Sequence, residues 1–372
     1  MSGGVAGFAC CDRCTGLASD VLPGLASGAQ PALASDYAAG ATAAPPGSAA
    51  RAGRRRLLKA AVFRPGASRQ IEGSGDMAGF ADSSRLPRTV VGTVEDVSPH
   101  VLILRDNARE QRFTLLPGTV AWRGKPTEPI ALRAGDHAVV RIRPSGRNVA
   151  DRIWANIGRV TGIIVQRAGE TLLVDEGATR KPQTVVLRPG SEDRILVRFP
   201  TLEPSYLIDV IGTRRGDEIV ALVPATSQPA YPAHRLPAQP LISGRVPDAI
   251  SGSATWHEPG DEPPGVLGVS YPALDPETGC AEDLASATQR GVSRMPYLSI
   301  GSILRIRNDC DSTECLVPVT GCAPIARLFN DRCVTCGTSP RARVADLTMA
   351  SFIALGGELE RGCFNATITI GE

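Results

Sequence analysis

One β-type pattern occurs twice in this chain, and that repeat restricts the fold more than any other feature. Residues 90–94 read VVGTV and residues 160–164 read VTGII, a spacing of 70 positions. Leu102, Ile103 and Leu104 return as Leu172, Leu173 and Val174, and LPGT at 116–119 returns as RPGS at 188–191. Gly135-Asp136 ahead of AVVRI pairs with Ile208-Asp209 ahead of VIGT. Self-similarity at a fixed period marks repeated structural units. The units span 88–156 and 157–224, and each is a series of short apolar runs punctuated by Gly, Pro, Ser and Asp. Runs of that length and spacing are strands, so each unit predicts a small barrel.

Composition agrees with short strands and many turns. The chain has 39 glycines and 30 prolines, and aromatics are only 4%. A formal net charge of +2 argues against binding a polyanion through bulk electrostatics. No apolar run reaches the roughly 18 residues that a membrane-spanning helix needs. Residues 1–87 are small, polar and repetitive, bury too little apolar surface to offset chain entropy, and read as a disordered tail. In that tail, Cys10, Cys11 and Cys14 form CCDRC, a partial thiolate motif with no fourth ligand nearby. Residues 53–59, GRRRLLK, resemble a twin-arginine export motif, but Arg64-Pro65-Gly66 cuts its apolar stretch short. Residues 225–241 are proline-rich and predict a stiff spacer that separates the repeated units from a last domain, 242–372.

In the last domain, apolar runs at 303–306, 316–319 and 366–370 predict strands. Residues 348–355 predict a short amphipathic helix, capped by Asp346 and ended by Gly356-Gly357. Three segments then carry a resemblance: GSATW at 252–256, VPVTGCAP at 317–324 and RVADLTMASFIAL at 343–355. In that order they resemble the opening strand, the central turn and the strand-to-helix segment of the double-psi β-barrel of the rare lipoprotein A, barwin and expansin group. The repeated units resemble oligonucleotide/oligosaccharide-binding (OB) barrels, and a small β-domain of unknown function common in bacterial secreted proteins. The expected fold class is therefore all-β: two tandem OB-like barrels, then a C-terminal double-psi β-barrel, behind a disordered N-terminal tail.

The resemblance implies an extracytoplasmic or wall-associated bacterial protein whose partner is peptidoglycan or another wall polysaccharide, with no cofactor. It places the family's catalytic aspartate at Asp346, where burial after an apolar strand is expected to raise the pKa toward that of a general acid. The family's second carboxylate falls at Gly321 and its histidine at Val344, so most of the acid/base set is missing. A non-catalytic polysaccharide binder is the expected function. The alternatives are a divergent lytic glycosidase with Asp346 as acid, and a scaffold whose OB-like units bind protein or nucleic acid. Trp256, His257 and Tyr297 are the candidate sugar contacts, with Tyr271 a further aromatic face. Glu258, Asp261 and Glu262 are substitute carboxylates in the adjoining Pro/Gly-rich loop. Nucleic acid is not expected as a partner. Arginines and carboxylates alternate in the repeated units, and Phe113, Trp122, Trp154, Phe199 and Tyr206 read mainly as core. His100 and His137 stand alone and read as surface residues.

Cys280, Cys310, Cys315, Cys322, Cys333, Cys336 and Cys363 crowd into the last domain. That density reads as disulfides in an oxidising compartment. A four-thiolate zinc site from Cys310, Cys315, Cys333 and Cys336 is the competing reading. Disulfides are favoured, and no metal is assigned.

Overall fold

The computed structural model describes residues 86–370, apart from 107–108, 145, 178–179, 227–232, 234–240, 243–248, 260–264, 275–294 and 338–339. The CCDRC and export-like motifs, Asp261, Glu262, Cys280 and most of the proline-rich segment lie outside the described residues.

The first unit contains β1 (Arg88–Val97), β2 (Val101–Asp106), β3 (Arg109–Trp122), β4 (Pro126–Thr127), β5 (His137–Ile142) and β6 (Val149–Ala155). β1 pairs with β2 and β5, β2 with β3, and β5 with β6, while β3 runs parallel to β6. Five strands thus close on themselves, and β4 extends the edge of β3. The second unit contains β7 (Ile157–Ala168), β8 (Thr171–Asp175), β9 (Gln183–Val186), β10 (Leu207–Arg215) and β11 (Glu218–Pro224). It closes in the same order, with β9 and β11 as the parallel pair. A helix, α1 (Pro189–Leu196), crosses between β9 and β10. Leu102, Leu104, Phe113 and Leu115 fill the first barrel, and Leu172, Val174, Val185 and Phe199 fill the second.

The repeated pieces VVGTV and VTGII lie in β1 and β7, and the pairing explains their glycine. β1 pairs with β5 over 88–93 and then with β2; β7 pairs with β10 over 157–163 and then with β8. A bulge after Val94 and another after Ile164 bend each strand where it changes partner. Just before the bend, a Cβ on Gly92 would stand 2.7 Å from the Arg105 carbonyl oxygen, and one on Gly162 2.1 Å from that of Asp175. A hydrogen is all that fits there.

The last domain contains β12 (Leu241–Ile242), β13 (Ile250–His257), β14 (Val269–Tyr271), β15 (Met295–Pro296), β16 (Ile303–Asn308), β17 (Glu314–Cys322), β18 (Asn330–Arg332), β19 (Pro340–Thr348) and β20 (Cys363–Ile370). Six of these close a ring in the order β13-β20-β16-β17-β14-β19, with β18 added outside β19. Exchanging β13 with β17, β14 with β19 and β16 with β20 maps every pairing onto another of the same sense. The two parallel pairs, β13–β19 and β14–β17, change places under that exchange.

The expected helix is α2 (Met349–Ala354), and Gly356 at φ 80° ends it. Its cap differs from expectation. Thr348 Oγ1 accepts from the Ser351 N–H at 3.2 Å, while Asp346 lies two residues earlier inside β19. Asp346 is held in the ladder between β13 and β14, so its carboxylate is free for other partners.

The spacer expected to hold the last barrel away from the repeated units does not keep them apart. One apolar cluster runs from Val91, Trp122 and Trp154 of the first barrel, through Ile157 and Ile211 of the second, to Trp256, Phe352 and Leu359 of the third. Arg152 of β6 pairs with Glu358 and Glu360, and the Trp154 indole N–H donates to Glu360. Between the second and third barrels, charge is buried outright. Asp209 accepts from Arg159 and Arg343, and Arg343 also donates to Asp331. All four side chains are at most 1% exposed.

Candidate functional site at the junction of the second and third barrels

β13 and β19 run side by side, with Thr255 opposite Asp346 and His257 opposite Thr348. Side chains alternate across a strand. Ala254, Trp256, Ala345 and Leu347 therefore enter the barrel, each 0% exposed. Thr255, His257 and Asp346 take the outer face, which leans on β7 of the second barrel. That covering is why polar residues on the outside of a barrel end up buried.

Thr255 Oγ1 donates to Asp346 Oδ1 at 2.8 Å. His257 Nδ1 stands 3.5 Å from Asp346 Oδ2, a loose contact. The His257 side chain is 4% exposed, and neither its Nδ1 nor its Nε2 has a hydrogen-bond partner among the described residues. A buried imidazole nitrogen left unpaired is costly, and such groups concentrate where a ligand completes them.

The second barrel brings Glu176 to the same place. The turn after β8 is an Asx turn in which the Gly177 N–H donates to Asp175 Oδ1 at 2.8 Å, with Gly177 at φ 99°. Glu176 Oε1 accepts from the Thr161 N–H at 3.2 Å, and Arg180 Nη1 stands 4.0 Å from the same oxygen. The Glu176 side chain is 12% exposed, Asp346 18% and Arg180 25%, so one edge of the cluster reaches solvent.

The two carboxyls are driven apart in acidity. Burial pushes Glu176 up and the negative Asp346 adds to it, against Arg180, the Thr161 N–H and His257. Burial also pushes Asp346 up, but the nearby His257, together with Arg159 and Arg180, outweighs it. Asp346 therefore sits well below the usual carboxylate range. The expectation of a raised Asp346 acting as acid is overturned, because the guanidinium groups of Arg159 and Arg180 and the imidazole of His257 lie near it. A raised and a lowered carboxyl in one cluster is the pattern of an acid/base pair.

Glu258 is a clamp and does not supply the missing carboxylate. It pairs with Arg214, and its Oε1 accepts from the Arg159 N–H at 2.9 Å. Its carbonyl oxygen accepts from Arg180 Nη2 at 2.9 Å. These bonds tie the end of β13 to the second barrel.

The candidate sugar contacts divide. Trp256 is a core residue: its indole N–H donates to the Leu359 carbonyl at 2.8 Å, and 0% exposure leaves no face for a sugar. Tyr271 is equally buried, with its hydroxyl unpaired among the described residues. Tyr297 is 40% exposed and lies beside Arg327. His257 is the one that joins the cluster. Val344 is barrel core and Gly321 pairs with Ser270, so neither position offers a functional group. Phe113, Trp122, Trp154 and Phe199 are buried in the barrels, while Tyr206 is partly buried.

Cys322 is disulfide-bonded, no two cysteines among the described residues are joined to each other, and no three His, Cys, Asp or Glu side chains among them gather to hold a metal. Cys315 is a buried thiol and Cys363 a partly buried one, pushed up by desolvation to about 11 and about 12. No helix among the described residues is long and apolar enough to cross a membrane.

Glu176 and Arg180 had no signal as site residues in the sequence. They belong to the second repeat, and only the docking of that barrel on β13 puts them beside Asp346. No protein-family model matches the chain, and no curated protein matches it.

Proposed function

We propose that the protein engages a bacterial wall polysaccharide, peptidoglycan being the first candidate, at the junction of the second and third barrels. The carrying observation is the convergence of Glu176, Arg180, His257 and Asp346 from two barrels on one partly open polar edge. A flexible, hydroxyl-rich polymer is recognised by such hydrogen-bonding and charged groups set at a groove. The double-psi reading of the third barrel supports the ligand class. Its six-strand ring carries two parallel pairs related by a strand exchange, and the three family-like segments fall on β13, β17 and β19. On this reading the protein works outside the cytoplasm, and Tyr297 adds an exposed aromatic face to the surface of the barrel.

The test is co-sedimentation of the full chain with purified peptidoglycan, competed by soluble wall fragments. The expected result is retention that the fragments reverse. A chain that stays in the supernatant at every protein concentration refutes the reading.

A further inference from the structure

We propose that Cys333 and Cys336 form a redox-active dithiol that exchanges with an external disulfide, Cys336 attacking and Cys333 closing the bridge. The inference is independent of the junction and of the polysaccharide reading.

The residues CVTCG at 333–337 follow β18 and lead back toward β19. The Gly337 N–H donates to the Cys333 carbonyl at 2.8 Å, and Gly337 at φ 69° ends the turn. A turn keeps residues three apart within about 7 Å between Cα atoms, and a disulfide spans about 4.4–6.8 Å. The two thiols are presented unequally. Val334, Thr335 and Cys336 are exposed, whereas Cys333 is 1% exposed. An incoming disulfide therefore meets Cys336 first, with Cys333 held behind it.

Asn365 of β20, 0% exposed, directs its side chain at this turn. Its Oδ1 accepts from the Val334 N–H at 3.2 Å, which fixes the amide so that Nδ2 faces Cys333 Sγ and Thr335 Oγ1, each at 3.3 Å. An N–H aimed at sulfur stabilises the negative charge it carries during exchange. A bridge across two intervening residues closes so short a loop that it removes little entropy from the unfolded chain. Exchange, not stapling, is the use that fits an exposed thiol in that position.

The step balances. The Cys336 sulfur gives up its proton and bonds to one sulfur of the external disulfide; that S–S bond breaks and a thiolate leaves. The Cys333 sulfur gives up its proton and bonds to the Cys336 sulfur; the mixed S–S bond breaks and the second thiolate leaves. The two protons end on the two departing thiolates. The cysteine pair is oxidised to a bridge, and the external disulfide is reduced to two thiols.

The experiment treats the reduced full chain with glutathione disulfide in one arm and disulfide-bonded insulin in the other, and locates the products by peptide mapping. Wild type is expected to gain a Cys333–Cys336 bridge, and the faster arm says whether the disulfide it takes is small or carried by a protein. Cys333→Ser is expected to trap Cys336 as a mixed disulfide with the probe, and Cys336→Ser to leave Cys333 unmodified. Circular dichroism matching wild type reports that the variants are folded, and Cys333→Ala repeats the trap if serine at that buried position unfolds the chain. A wild type that gains no bridge in either arm refutes the proposal. A bridge from either cysteine to Cys310, whose neighbour Asp309 donates its N–H to the Asn365 carbonyl at 2.8 Å, overturns the pairing. Equal modification of Cys333 and Cys336 in the single variants overturns the two roles. Stoichiometric zinc on the reduced chain that blocks exchange overturns the proposal in favour of a metal.

Discussion

Asp209→Ala is the sharpest test of how the second and third barrels are joined. Asp209 accepts from Arg159 Nε at 2.9 Å, Arg159 Nη2 at 2.7 Å, Arg343 Nη2 at 2.6 Å, Thr161 Oγ1 at 2.9 Å and Thr226 Oγ1 at 3.0 Å. With Arg159, Arg343 and Asp331 it makes a group of two cations and two anions, each at most 1% exposed. Removing Asp209 leaves one uncompensated positive charge there. Arg343 keeps Asp331, but among the described residues Arg159 keeps only the Gly362 carbonyl, at 2.6 Å, and Thr161 as hydrogen-bond acceptors. Breaking one partner out of a buried ion pair costs about 3–5 kcal/mol. At a urea m-value of about 2 kcal/mol/M, that is a midpoint shift of roughly 1.5–2.5 M. The assay is urea unfolding of the full chain, followed by tryptophan fluorescence and circular dichroism. Because the lost charge lies between barrels, the two probes should separate into distinct transitions in the variant. A shift below about 1 kcal/mol, with the transitions still coincident, would refute a structural role for the buried charge.

Three more outcomes follow from the same geometry. Thr348→Ala should cost about 1 kcal/mol as the loss of a helix cap, whereas a cap effect of that size for Asp346→Ala, measured by α2 amide exchange, would return the cap to Asp346. Gly162→Ala should destabilise by about 1–3 kcal/mol, and by more than Gly92→Ala, since the clash with the Asp175 carbonyl at 2.1 Å is the tighter of the two; equal thermal midpoints would count against the close strand crossing. Acidification should destabilise the fold. Asp209 and Asp346 lie below the ordinary aspartate value of 3.8 when folded, so below that value the unfolded chain gains protons first. Glu176 acts in the opposite sense. Raised from 4.5, it weakens the fold as pH climbs above 4.5, until it ionises in the folded state as well. Urea midpoints across pH 3–8 should show both limbs, and Glu176→Gln should remove the upper one.

The double barrel was legible because its cause is local. A period-70 repeat, alternating strands and a glycine at each bend are all fixed by neighbours in the chain. The strands of the last domain and the position of α2 were legible for the same reason, through short apolar runs and a Gly-Gly stop. The cap was misread because Asp346 and Thr348 are both good caps by type, and only strand pairing shows that Asp346 is still within the ladder. Trp256 was misread because an aromatic gives no sign in sequence of which side of a strand faces the core. The charge of Asp346 and the identity of its partners are tertiary facts. Arg159, Arg180 and Glu176 reach it from more than 160 positions away, through the seating of one barrel against another. Coulombic coupling depends on distance in space and on exclusion of water, and neither is written in the order of residues.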